Sequence, residues 1–311
     1  MLKKWTILGF IFSFSLGACI YAGAPLGFAS EAKIKVAATS TLFADSVRQI
    51  GGDRVEVKAI ASPKFSVHFY QPKPSDVRTV ANADLYVNWG LDIEAWSDPL
   101  LEAAGKPSLF RKGPRNVDVS KNIRLLKVPV GNISRSEGDI HLYGNPHFTL
   151  DPRNLKIMAQ TIAESLEAFD PDHAALYQEN LKNFLRAWDQ KIAEWKKTCS
   201  HCEGQEIISY HEDTEYLADF LGLKLNEFIE PKPGIPPTPQ HLAYLEKYAR
   251  EHGIKVIALA TYFPRDVAER LAKKVGARVV TVAQNVGEVT GTSTVFDFFD
   301  YNVKQISEAL R

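Results

Sequence analysis

Between positions 170 and 198 the chain reads DPDHAALYQENLKNFLRAWDQKIAEWKKT. Tyr177, Leu181, Phe184, Trp188, Ile192 and Trp195 recur there at steps of three and four, the spacing that gathers side chains on one face of a helix. Asp170 suits an N-cap and Pro171 the first helical position. The pattern predicts a single helix over 171–198, about 42 Å long at 1.5 Å per residue. A coiled-coil seam would have to outlast about four turns, whereas a stripe of this length fits a helix lying against two flanking layers.

The flanks supply those layers. Upstream, KIKVAAT (33–39), RVEVKAI (54–60) and ADLYVNW (83–89) have the β-branched content of strands, and LFADSVRQIGGD between the first two reads as a helix closed by glycines. Downstream, EIISYH (206–211), KVIALA (255–260) and RVVTV (278–282) alternate with HLAYLEKYAREHG and DVAERLAKKVG, two helical patterns that end on glycine. Alternation of this kind predicts an α/β fold of two lobes, each on a central, largely parallel sheet, joined by one long rigid helix. The expected boundaries are a signal segment over 1–30, an N-terminal lobe over 31–170, the linking helix over 171–198 and a C-terminal lobe over 199–311. A chain of 311 residues exceeds the size at which one core usually stops growing, which agrees with two lobes.

The first thirty residues stand apart. MLKKW is a basic start, and TILGFIFSFSLGA is an apolar run too short to span a bilayer comfortably. This is the pattern of an export signal. It has two possible endings: LGAC has the shape of a lipoprotein cleavage site that leaves Cys19 as a lipid anchor, and cleavage near GFASEA would discard Cys19. Either ending places the mature chain outside the cytoplasm, in the periplasm or on the outer face of the cell membrane. In that compartment the pair Cys199 and Cys202 in TCSHCEG reads as a structural disulfide. A zinc ribbon would need a second cysteine pair, and the haem-attachment order would place the histidine after the pair rather than inside it.

The charge balance, 37 basic against 37 acidic residues, contains no long single-sign run, so the chain carries no stripe for nucleic acid. The histidines are more informative. Of eight, His68 in SVHFYQPKPSD, His147 in GNPHFTLDP and His211 in ISYHEDTEY stand at the ends of predicted strands or the mouths of loops. That edge of an α/β sheet is where ligands bind. Two of the three come from the first lobe and one from the second, so a cleft between lobes would bring their imidazoles onto one ion, and neutral imidazole suits zinc. Pro72 and Pro74 restrict the backbone after His68, with Phe69 and Tyr70 available to pack around it.

These segments, in this order, resemble the metal-specific solute-binding proteins of ABC importers, the zinc and manganese receptor family that includes streptococcal surface adhesins. The similarity covers the mature chain: VHFYQPKPSDVRTVANADLYVNWGLDIEAW, GNPHFTLDPRN, HEDTEYLADFLGL, PKPGIPPTPQHLAYL and the closing DYNVKQI each look like a family motif. The resemblance implies a monomeric high-affinity receptor that hands its ion to a membrane permease and is loaded freely or by a metallochaperone. It also implies that His68, His147 and His211 are the ligands. Manganese-type members carry a glutamate at the third position and complete the site with a late aspartate. Here the third is His211, and three nitrogens favour zinc over manganese, the runner-up.

The chain departs from the family at several places. Val67 and Gln71 replace a proline and a glutamate, and Asn145 replaces an aspartate before His147. A family glutamate has no counterpart in KVIALATYF. Ser293 falls where the late acidic ligand aligns, and Asp297 lies about a turn further on, which leaves Asp297, water or nothing as the fourth ligand and a helix cap as the other use of Asp297. The insertion SRSEGDIHLYGNP carries Glu137, Asp139 and His141 in place of a long His-rich loop, and His141 reads as an exposed loop residue or as a first point of ion capture. Two other classes fit three histidines. One is a zinc hydrolase with Glu212 or Asp213 as base, which lacks an H-E-x-x-H helix or a G-x-S-x-G elbow to support it. The other is an adhesin with a structural metal, whose fold would depend on the ion.

Overall fold

In a computed structural model the described residues are 1–2, 32–129 and 141–311. Cys19, Glu137 and Asp139, and with them the expected signal and anchor, lie outside them. Lys33–Arg311 forms one compact unit, separate from Met1–Ala32.

Two parallel sheets organise it. The first holds β1 (Ile34–Ala38), β2 (Val55–Ala59), β3 (Leu85–Asn88) and β4 (Asn116–Asp118) in the order β2-β1-β3-β4. The second holds β5 (Glu206–Ser209), β6 (Lys224–Phe228), β7 (Val256–Leu259) and β8 (Arg278–Thr281) in the order β6-β5-β7-β8. All six pairings are parallel, as strands joined by helical crossovers must be. The order reverses between β1 and β3 and again between β5 and β7, and each reversal opens a crevice at the carboxyl ends of the strands. Around the first sheet lie α1 (Thr41–Gly51), α2 (Pro74–Ala81), α3 (Ser97–Ala104) and α4 (Pro152–Phe169); around the second, α6 (Glu215–Phe220), α7 (Pro239–Glu251), α8 (Arg265–Val275) and α9 (Val295–Ala309).

The long helix, α5, covers Ala174–Thr198, about 37 Å at 1.5 Å per residue. It starts three residues later than its sequence suggests, because Pro171–His173 forms a separate 3-10 turn. Asp170 does not cap α5: its carboxylate accepts from Tyr177 Oη at 2.7 Å, pairs with His173 Nδ1 at 3.0 Å and faces Arg54 at 3.4 Å. The stripe behaves as its spacing requires. Tyr177, Leu181, Phe184, Trp188 and Trp195 are buried in an apolar cluster that runs from β1 and α1 through α4 to β5, α6 and α9. A second, smaller cluster fills the space between α7, α8 and the far face of the second sheet.

Polar ties reinforce this shared core. Thr41 Oγ1 donates to the Val286 carbonyl at 2.6 Å, and Val295 N donates to buried Asp45 Oδ2 at 2.8 Å. Both run from α1 to the segment that leads into α9, so the two sheets are held by α5 and by direct contact. Cys199 and Cys202 are bonded to each other at the end of α5, and both are buried.

Candidate metal centre

His68 follows β2 on a 3-10 turn, Val67–Phe69. Trp96 Nε1 donates to the Val67 carbonyl at 2.7 Å. Tyr70 Oη donates to Asp76 Oδ2 at 2.8 Å, and the same oxygen accepts from Lys73 N at 2.7 Å. Pro74 then opens α2 at its first position. Tyr70 packs against the Trp96 ring at 5.1 Å, and the Phe69 ring, although 71% exposed, lies beside that of His68 with centroids 5.9 Å apart.

His147 precedes the turn that leads into α4, whose first N–H groups are capped by Asp151. Its own N–H donates to Asn145 Oδ1 at 2.9 Å. Asn145 Nδ2 in turn donates to the Glu212 carbonyl at 2.8 Å and to Glu215 Oε2 at 2.7 Å, and Tyr216 Oη donates to the Asn145 carbonyl at 2.7 Å. Asn145 therefore links the second histidine to the turn that follows the third. The amide suits this place, since an aspartate would set a second carboxylate against Glu215. Lys127 pairs with Glu215 as well.

The imidazoles converge. His68 Nε2 lies 3.3 Å from His147 Nε2, close to the spacing of about 3.3–3.4 Å for two nitrogens bound to one tetrahedral zinc at 2.0–2.1 Å. One nitrogen from each of His68, His141 and His147 falls within 4.8 Å of the others, the one such group among the described residues. The His211 ring stands beside them, edge-on, with its centroid 5.8 Å from that of His68 and 5.2 Å from that of His147. Of the three histidines expected, two thus belong to the tight group and the third adjoins it. His141 enters it from the end of the insertion, and its side chain is largely covered rather than exposed.

The electrostatics treat the rings differently. Burial, and then the neighbouring histidines, hold His68 and His147 well below the usual histidine range, so both stay neutral. For His211 burial acts in the same direction but is outweighed by the hydrogen bond to Glu230 and by the charges of Asp213, Glu230 and Glu212, and its pKa is raised. His211 Nδ1 lies 2.8 Å from Glu230 Oε2, which also accepts from Gly234 N at 3.2 Å. The carboxylate accepts, so the proton sits on Nδ1 and Nε2 is left as the ligand atom. Glu230 was not among the residues singled out in the sequence: nineteen positions separate it from His211, and no local motif marks the pair.

Asp297 is committed elsewhere. Thr294 Oγ1 accepts from Asp297 N at 3.2 Å, while Asp297 Oδ2 accepts from Thr294 N at 3.0 Å and from Ser293 Oγ at 2.6 Å, a capping box at the start of α9. These bonds, that of Ser293 foremost, pull its pKa down. Asp297→Ala is expected to lower stability by about 1 kcal/mol through loss of the cap and to leave metal affinity unchanged. A tenfold fall in affinity measured by titration, with the melting point unmoved, would restore it as a ligand.

Residues 36–309 match the family described as ZnuA, zinc-uptake complex component A, periplasmic. The chain is 27% identical over 293 residues to the high-affinity zinc uptake system protein ZnuA of Bacillus subtilis, covering 89% of this chain and 88% of that one. It is also 27% identical over 232 residues to the manganese ABC transporter substrate-binding lipoprotein PsaA of Streptococcus mitis, covering 72% and 71%. A crystal structure of ZnuA superposes with a TM-score of 0.75 at 23% identity, over 90% of this chain and all of that one, which supports the fold. No helix among the described residues is long and apolar enough to cross a membrane. The chain belongs to the ZnuA family, the extracytoplasmic metal-binding receptors of ABC importers.

Proposed function

We propose that this receptor takes up zinc, holds it on His68, His147 and His211, and delivers it to the permease of an ABC importer. The observation that carries the metal is the donor set: every member of the tight group is an imidazole, and no carboxylate belongs to it. Neutral nitrogen donors suit zinc, whereas manganese prefers carboxylate and carbonyl oxygens. Burial and the neighbouring imidazoles hold His68 and His147 well below the usual histidine range, which favours the neutral form that binds a cation, and Glu230 orients His211.

We infer that the site does no chemistry on its ion. Glu212, one of the two candidate bases, is paired with Lys127 at 3.5 Å. Asp213, the other, accepts from Thr214 Oγ1 at 3.0 Å and is fully buried, and its burial raises its pKa to about 6. An adhesin whose fold depends on the metal is disfavoured by the shared core along α5, an extended cluster of apolar side chains to which the histidines do not belong. Competition calorimetry is expected to find one zinc per chain and manganese weaker by orders of magnitude. Manganese binding as tight as zinc binding would overturn the assignment.

A further inference from the structure

We propose that His141 is the fourth ligand of the ion and that Asp92 is the positioning residue that aims it, which completes an all-nitrogen site from a side chain on a different segment from the late aspartate. The inference rests on the zinc-receptor reading above and adds to it the identity of the fourth donor.

Three observations converge on this pair. The first is an unpartnered atom. His141 Nε2 is buried and has no hydrogen-bond partner, and leaving a buried polar nitrogen without a partner is unfavourable. It lies in the one group of converging imidazoles among the described residues, with the His141 ring 5.2 Å from that of His68 and 6.4 Å from that of His147. A cation shared with those rings is the partner that this place offers.

The second is the orientation of the ring. His141 Nδ1 lies 3.0 Å from Asp92 Oδ1, and Leu142 N donates to Asp92 Oδ2 at 2.8 Å. One carboxylate thus holds both the imidazole and the backbone next to it. Since the carboxylate accepts, Nδ1 carries the proton and the lone pair is on Nε2, the arrangement that orients and strengthens metal-bound histidines. His211 and Glu230 repeat it across the cluster, again through Nδ1 at 2.8 Å.

The third is the backbone that presents Asp92. β3 ends in a turn in which Gly90 (φ 68°) and Leu91 (φ 49°) are both left-handed. A glycine adopts this freely, but a bulky leucine does so only under strain. Arg111 Nη1 holds the strained turn by donating to the Leu91 carbonyl at 2.8 Å. The turn stands immediately before Asp92, whose carboxylate holds the His141 ring.

The test compares His141→Ala, Asp92→Ala, Asp92→Asn and His68→Ala with the parent mature chain, by zinc titration against a chelator and by zinc K-edge X-ray absorption. His141→Ala is expected to weaken zinc binding by at least about 10-fold, and the count of bound imidazoles is expected to fall from four to three. Asp92→Ala is expected to weaken binding about 10–100-fold, the range for lost outer partners of metal-bound histidines. Asp92→Asn, which keeps an acceptor oxygen, should recover part of that. Metal-free melting points within a few degrees of the parent's will show that each variant folds. A parent site with three imidazoles, or parent-like affinity in His141→Ala alongside loss of binding in His68→Ala, overturns the fourth-ligand proposal and leaves the receptor reading standing. Parent-like binding in both His141→Ala and His68→Ala overturns the two together.

Discussion

Trp188→Ala is expected to lower the unfolding free energy of the metal-free chain by about 3–5 kcal/mol, the range for deleting a large buried aromatic. Trp188 is fully buried at the middle of α5. Its ring stacks on Phe184 at 5.3 Å and meets Trp195, Phe296 and Phe299 edge-on at 4.9–5.5 Å. Its indole N–H donates to the Pro152 carbonyl at 2.7 Å, so the substitution opens a cavity and also strips a partner from the first turn of α4. Because α4 packs beside the first sheet and Phe296 and Phe299 lie on α9, the loss falls at the seam between the halves. Against a total stability of about 5–15 kcal/mol typical of folded chains, this is a large fraction. Urea unfolding should show a lower midpoint with an unchanged slope. A midpoint within experimental error of the parent's would mean that α5 does not hold the halves together.

His68→Ala is expected to weaken zinc binding by more than about 100-fold and to leave the fold as it is. Outer partners of metal ligands are already worth about 10–100-fold, and His68 is central to the cluster, with ring contacts to His141, His147 and His211. The loop around it is ordered by Trp96, Tyr70 and Asp76 rather than by the imidazole, so the polypeptide needs no metal to hold the ligand in place and little entropy is lost on binding. Chelator competition measures the affinity and circular dichroism the fold. Parent-like affinity, or an unfolded variant, would make His68 a structural residue.

Much of this was legible in the chain because burial leaves periodic traces. The stripe on α5 announced a helix buried along one face, and the β-branched runs announced β1, β2, β3, β5, β7 and β8. β4 and β6 were not announced. Both are edge strands, and the three residues NVD and the polar KLNEF lack the apolar run of a strand covered on both faces. α4 carried clear signals, Asp151 as cap, Pro152 at the first position and Leu155, Met158, Ile162 and Leu166 at helical steps, yet the histidine motif before it drew the reading of that stretch. At the site, His68, His147 and His211 were marked by their places after strands and before helices. Their supports were not: Asp92 lies forty-nine positions from His141 and Glu230 nineteen from His211, and only the folded chain brings such pairs together. Asp297 shows the converse, since a carboxylate three residues after a threonine already spells a capping box.

Zinc is expected to sit on the converging histidines at the carboxyl ends of the two sheets. Anomalous diffraction recorded on both sides of the zinc edge, from crystals of the mature chain given one equivalent of zinc, tests it most directly. One strong peak per chain is expected within about 2.0–2.1 Å of nitrogens from His68 and His147. A principal peak on carboxylates away from these rings, at Asp297 or elsewhere, would contradict it.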